Sequence, residues 1–147
     1  MEGTTPALSN EQARALLKSL PENILKGIRD RAILSTLVFH GIRREELCTL
    51  TVRDFERREG MMHFRIESKG DKVRYVPVAL HTQPLMHEYL LSAAHGEDLA
   101  GPLFRLVSNN TTHQRRKALS AGAVYQEIVK RCGTAVGITG DVHGFSV

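Results

Sequence analysis

Cysteine is nearly absent from this chain: Cys48 and Cys132 are the only two among 147 residues, far apart and both in helix-like stretches. No Cys-x-x-Cys pair and no Cys/His ligand spacing accompanies them, so neither a disulfide framework nor a zinc site is supported. Such sparing use fits a reducing cytoplasm. Long apolar runs are missing as well. The longest, "AILSTLVF" at 32–39, is far too short to cross a bilayer, and no signal peptide opens the chain. A cytoplasmic location without a membrane partner is expected. Internal repeats and low-complexity tracts are also missing. "NNTT" at 109–112 matches a glycosylation acceptor, a match without meaning in the cytoplasm.

What is present is ordinary for a globular protein: 41% hydrophobic and 24% charged residues. A chain of 147 residues is long enough to bury a real core within one domain. Twenty Lys and Arg against sixteen Asp and Glu give a net charge of +4 and a pI near 9.3. That mild excess permits a nucleic-acid partner without demanding one.

Residues 1–8 read as a loose leader. A first helix is expected next, where Ser9 and Gln12 form a capping box and Ala13, Leu16, Leu17 and Leu20 form one stripe. Pro21 resets the chain. A second helix over 22–40 has a wide apolar arc and belongs in the core. Gly41 suits the left-handed position past its end, with Ile42 packing back. A short helix, 43–50, follows at once. The period then changes. "MMHFRIE" at 61–67 alternates, with Met62, Phe64 and Ile66 on one face, and "VRYVPV" at 73–78 answers it with Val76 and Val78. "SKGDK" between them has turn chemistry centred on Gly70, and Pro77 marks an edge strand. "TVRDF" at 51–55 supplies a third short strand. Helix returns over 82–94, with Leu85, Met86, Tyr89 and Leu90 inward. "SNNTTHQRRKALS" at 108–120 reads as a long, mobile loop. A last amphipathic helix from 121 points Val124, Ile128, Val129 and Cys132 inward. In "TGDVHGFSV", Val142, Phe145 and Val147 seek a core that the chain does not complete. The expected class is α+β, mainly α-helical, with a small three-stranded antiparallel sheet.

Arg43 stands out because it opens a helix, where the dipole favours acidic side chains. It is either a solvated arginine offset by Glu45 and Glu46, or a device for collecting an anion beside free backbone N–H groups. Lys69 is either an idle turn lysine or, swung into a groove with its pKa lowered by nearby positive charge, a proton donor to a leaving oxygen.

"HGIRREELCTLTVRDF" followed by "IESKGDKVRYVPV" resembles the catalytic domain of the tyrosine recombinases, or phage integrases. That family carries a G-[LI]-R-x-x-E-L box at a helix start and a G/S-K-G-x-K-x-R-x-V-P motif in the turn of a three-stranded sheet. Both match here, in order, about twenty residues apart, and weaker likeness extends over nearly the whole chain from Leu8. The resemblance implies that Arg43 holds the scissile DNA phosphate and stabilises its pentacoordinate transition state. It implies that Glu46 braces the site and that Lys69 is the general acid for the departing 5′ oxygen. In the family a tyrosine attacks the phosphate and forms a 3′-phosphotyrosine, a covalent step that needs no metal or nucleotide cofactor. Arg74, Arg115, Arg116 and Lys117 become DNA-contacting residues in that context, adding salt-dependent affinity for double-stranded DNA.

The chain departs from the family pattern at its end. The next box is H-x-x-R, but three residues after His143 stands Ser146. Tyr75 falls in a strand, Tyr89 and Tyr125 fall on apolar helix faces, and all three precede the missing box. Residues 9–147 are therefore expected to be the first two-thirds of a catalytic domain, able to bind DNA but not to cleave it. The full-length protein would be tetrameric on DNA and this piece monomeric. The alternative is a non-catalytic DNA-binding module or decoy of the same fold. A helical protein-interaction domain would require both box matches to be accidental.

Overall fold

The computed structural model describes residues 9–68, 71–107 and 114–135. The leader, Lys69, Gly70, His113, His143 and the C-terminal apolar residues lie outside them. Helix α1 (Asn10–Lys18) starts as expected: Ser9 Oγ accepts from Gln12 N–H at 3.1 Å, and Gln12 Oε1 accepts from Ser9 N–H at 3.0 Å. Helix α2 (Leu25–His40) begins three residues later than its apolar period predicts, at Ile24 with no side-chain cap. The Pro21 carbonyl lies against the first turn of α2, so closely that a Cβ at Gly27 would collide with it. The turn after α1 thus needs glycine at position 27, and the helix starts only once the chain has cleared that contact.

Helix α2 is buried nearly all round, which explains its wide apolar arc. It also buries charge. Arg29 Nη2 stands 2.7 Å from Asp30 Oδ1, and Arg29 Nη1 donates to the Arg105 carbonyl at 3.1 Å, pinning α2 to the chain 76 residues on. Burial pushes the Asp30 carboxyl up despite the adjacent guanidinium. At the far end Gly41 takes φ 63, ψ 28, and nothing lies within 4 Å of where its Cβ would be. Glycine is used there for backbone freedom alone. Ile42 packs inward behind it.

After helix α3 (Arg44–Thr49) the expected strand at 51–55 is displaced. Asp54 Oδ2 accepts from Thr51 N–H at 2.8 Å and from its hydroxyl at 2.9 Å, closing a 3-10 turn over Val52–Asp54. This local side-chain bonding competes with strand formation, and strand β1 occupies Phe55–Arg58 instead. Strands β2 (Met61–Ser68) and β3 (Lys72–Pro77) complete an antiparallel sheet in the order β1-β2-β3. Glu59 and Gly60, both at positive φ, form the two-residue hairpin between β1 and β2. Met62, Phe64 and Ile66 are buried on one face as their alternation requires, and Pro77 lies on an edge strand.

Helix α4 (Thr82–Ala93) buries Met86 and Tyr89 and half-buries Leu85 and Leu90. The stretch expected to be a long mobile loop is partly a strand. Strand β5 (Gln114–Ala118) pairs antiparallel with β4 (Arg105–Val107) through a bulge. Arg115, Arg116 and Lys117 are all exposed there, so these three show no apolar alternation to announce a strand. The last helix is expected as one element. It runs as α5 (Ala121–Val124), a π-helical turn (Tyr125–Val129) and α6 (Lys130–Ala135). Val124, Ile128, Val129 and Cys132 are buried. Among the described residues, no helix is long and apolar enough to cross a membrane.

Candidate functional site

Arg43 is the residue before α3, extended at φ -77, ψ 152, and exposed to solvent. Glu46, three residues on, turns back and accepts the Arg43 backbone N–H at 3.0 Å. Only this half of a capping box exists, since an arginine side chain has no acceptor. With six residues in α3 and this amide already taken, anion binding here rests on the Arg43 guanidinium. Among the described residues, that guanidinium has no hydrogen-bond or ion-pair partner.

The Glu46 carboxylate is fully occupied. Arg74 of β3 grips it as a fork, Nη1 to Oε2 at 2.8 Å and Nη2 to Oε1 at 3.0 Å. Ser68, the last residue of β2, donates to Oε2 at 3.0 Å and receives a bond from Arg74 Nη1 at 3.0 Å. With the Arg43 amide, four hydrogen bonds fill the acceptor sites of one carboxylate. Hydrogen bonding from Arg74, above all, holds the Glu46 carboxyl down at about 2, against an ordinary 4.5. The start of α3, the end of β2 and the middle of β3 are thereby tied together. Arg74 was expected among the DNA-contacting residues. Its side chain is 43% exposed, but its guanidinium is engaged by Glu46. Lys69 follows Ser68 directly and lies outside the described residues.

The basic residues of β5 belong to the other sheet. Arg115 and Lys117 are exposed, whereas Arg116 grips Asp98 with Nε at 2.8 Å and Nη2 at 3.3 Å.

Sequence reasoning missed two residues near Arg43. Arg44 is half-buried. It donates to the Ala121 carbonyl at 3.1 Å and its guanidinium lies 4.9 Å from the Tyr125 ring centre. The two adjacent arginines therefore differ completely: Arg44 latches α3 to α5, and Arg43 faces water. His40, the last residue of α2, links Thr36 O at 3.0 Å to Ala79 N–H at 3.0 Å. Because Ala79 N–H donates, Nε2 must accept and Nδ1 must carry the proton. The ring is thus neutral, and burial lowers its pKa. Neither contact leaves a sequence signal, since the partners are 77 and 39 residues away.

Each tyrosine has a local task. The Arg58 guanidinium covers Tyr75 at 3.7 Å, the Tyr89 hydroxyl accepts Arg105 N–H at 3.0 Å, and Tyr125 underlies Arg44. Burial pushes Tyr89 up to about 12 and Cys48 up to about 11, which makes both poor nucleophiles at neutral pH. Among the described residues, no group of three or more His, Cys, Asp or Glu could hold a metal ion.

The sequence profile of the phage integrase family matches residues 6–146. The tyrosine recombinase XerC of Pelobacter propionicus is 37% identical over 121 residues, which are 82% of this chain and 39% of that protein. The tyrosine recombinase XerH of Helicobacter pylori is 32% identical over 57% of this chain and 24% of its own length. Among solved structures, XerA recombinase superposes with a TM-score of 0.68 at 27% identity, covering 97% of this chain and 47% of that one. XerH bound to its difH substrate before cleavage also gives 0.68, at 24% identity over 96% of this chain and 40% of that one. At that identity, the XerH match establishes the shared fold. The chain spans less than half the length of these relatives.

Proposed function

Because the chain belongs to the phage integrase family, we propose that it serves site-specific DNA recombination as part of a tyrosine recombinase catalytic domain. In this reading Arg43 donates its guanidinium to the non-bridging oxygens of the scissile phosphate, where negative charge accumulates in the pentacoordinate transition state. Glu46 fixes the helix start from which Arg43 projects. Lys69, which follows Ser68 in the sequence, protonates the departing 5′ oxygen. The attacking tyrosine forms a 3′-phosphotyrosine as the P–O5′ bond breaks, so one phosphodiester bond is exchanged for another and no nucleotide is consumed.

The single observation that carries this reading is the exposed Arg43 guanidinium, without a protein partner among the described residues, at the start of a braced helix. The one histidine beyond residue 120, His143, is followed three places on by Ser146 and not by arginine, and Tyr75 and Tyr125 lie in cation–π contacts while Tyr89 is buried. This chain alone is therefore expected to bind duplex DNA as a monomer and to leave it uncut. The same absence keeps open a non-catalytic DNA-binding role.

Incubation with a nicked duplex that traps a phosphotyrosine tests the assignment. Reversible, salt-sensitive binding without a covalent adduct is the expected result. An adduct on any of the three tyrosines would overturn it.

A further inference from the structure

Arg74 shares the Glu46 carboxylate with the Arg43 backbone N–H and is partly exposed, which invites the assumption that both arginines grip the same DNA backbone. The geometry points to a different division of labour: we propose that Arg74 is a positioning residue that occupies Glu46 and so leaves Arg43 free for phosphate. The inference rests on the reading of Arg43 as the phosphate ligand and concerns what keeps that ligand available.

Glu46 lies on the first turn of the helix that Arg43 precedes, and its carboxylate already reaches the Arg43 backbone N–H at 3.0 Å. An unoccupied carboxylate there would be the nearest anion to the Arg43 guanidinium and would compete with DNA for it. The structure removes that competitor. Both Glu46 oxygens are bound, by the Arg74 fork at 2.8 and 3.0 Å and by Ser68 at 3.0 Å, with the Arg43 amide as fourth donor. Arg74 and Glu46 cancel in charge, so the pair adds little net attraction for a polyanion. Among the described residues, Arg43 remains as the guanidinium of the cluster without a protein partner. To bind phosphate with the same donors, Arg74 would first have to abandon two charge-assisted bonds, each stronger than a neutral one. Both flanks of the β2–β3 turn, Ser68 and Arg74, are held by the same carboxylate.

A double-mutant cycle on duplex binding by the whole chain separates positioning from direct contact. Arg43→Ala should lower the slope of log K against log salt by about 0.9, the loss of one phosphate contact. Arg74→Gln should lower it equally, because the released Glu46 captures Arg43. Combining the two should cost no more than either alone. Glu46→Gln added to Arg74→Gln should restore the slope. Two independent DNA contacts would instead give about 1.8 for Arg43→Ala/Arg74→Gln, with no restoration by Glu46→Gln, and would overturn the proposal.

The pH profile adds a readout that a scaffold role would not move. Affinity of the Arg74→Gln protein should recover as pH falls below the ordinary 4.5, as Glu46 protonates and lets Arg43 go. Wild-type affinity should show no such step. A carboxyl-directed NMR titration keeps the test separate from DNA binding itself. Glu46 should titrate at about 2 in the wild type and higher in Arg74→Gln, yet still below the ordinary 4.5 because Arg43 and Ser68 hold it. Failure of the wild type to bind duplex would sink the functional reading, while an unmoved Glu46 titration would sink the clamp.

Discussion

Two carboxylates in this protein sit in almost the same chemistry and do different things. Glu46 is held by Arg74 and Ser68, and Asp98 by Arg105 at 2.7 Å and Arg116 at 2.8 Å. Arginine hydrogen bonds hold both carboxyls at about 2. The surroundings differ. Arg105 is buried, its Nε donates to the Pro102 carbonyl at 2.7 Å, and its own backbone is bound by Tyr89 and Arg29. Gly101 makes room for this cluster, since a Cβ there would strike both the Asp98 carboxylate and the Arg105 guanidinium. Both arginines around Asp98 are spent on holding β4 and β5. Around Glu46, Arg74 is spent and Arg43 is not. A strongly lowered carboxyl pKa therefore fails to separate a functional cluster from a structural one. The separating feature is whether a guanidinium is left without a protein partner among the described residues.

The sharpest way to break the comparison is to remove the buried arginine. Arg105→Ala should destabilise the fold by about 3 kcal/mol in urea unfolding, because a buried partner network loses its centre. Arg74→Gln, at a partly exposed site, should cost no more than about 0.5 kcal/mol. Equal losses would erase the distinction between the clusters. Gly101→Ala comes next, at about 2 kcal/mol from overpacking, with duplex binding by the folded protein unchanged.

Acid should act on both clusters together. The folded pKa values of Glu46 and Asp98 lie below their ordinary 4.5 and 3.8. Their contribution is therefore present above those values and lost as pH falls towards about 2. His40 acts earlier with the same sign. Its pKa is lowered from 6.5, so its contribution is complete above that pH and declines below it, as protonation removes the acceptor for Ala79 N–H. Urea midpoints between pH 7 and 5 should fall in the wild type and stay flatter in His40→Gln.

Smaller still are the effects expected on β5. Arg115→Ala and Lys117→Ala should each lower the salt slope of duplex binding by at most about 0.9. Arg116→Ala should change it less, since Asp98 already engages that guanidinium.

Much of the frame was legible from short-range patterns. The Ser9/Gln12 box, the glycine turn at Gly41 and the alternation of Met62, Phe64 and Ile66 each depend on neighbours within a few residues, and each stands as read. What was not legible depends on distant partners. The polar strand β5 has no apolar alternation and is fixed by pairing with Arg105 and Val107 and by Asp98, eighteen residues before Arg116. Arg44 meets Ala121 and Tyr125 only after folding. The turn at 52–54 is a local exception: Thr51 and Asp54 carry a box signature, but the β-branched residues beside them favour a strand. The motif residues Arg43, Glu46 and Arg74 were legible as a group, while the grip of Arg74 on Glu46 was not, because a motif records identity and spacing without direction.

The central claim is that Arg43 is the cation left over for phosphate. Its most direct test is the salt dependence of duplex binding by Arg43→Ala beside the wild type, with urea unfolding as the control. The account predicts a slope reduced by about 0.9 and stability within about 0.5 kcal/mol of wild type. An unchanged slope in a protein of unchanged stability would contradict it.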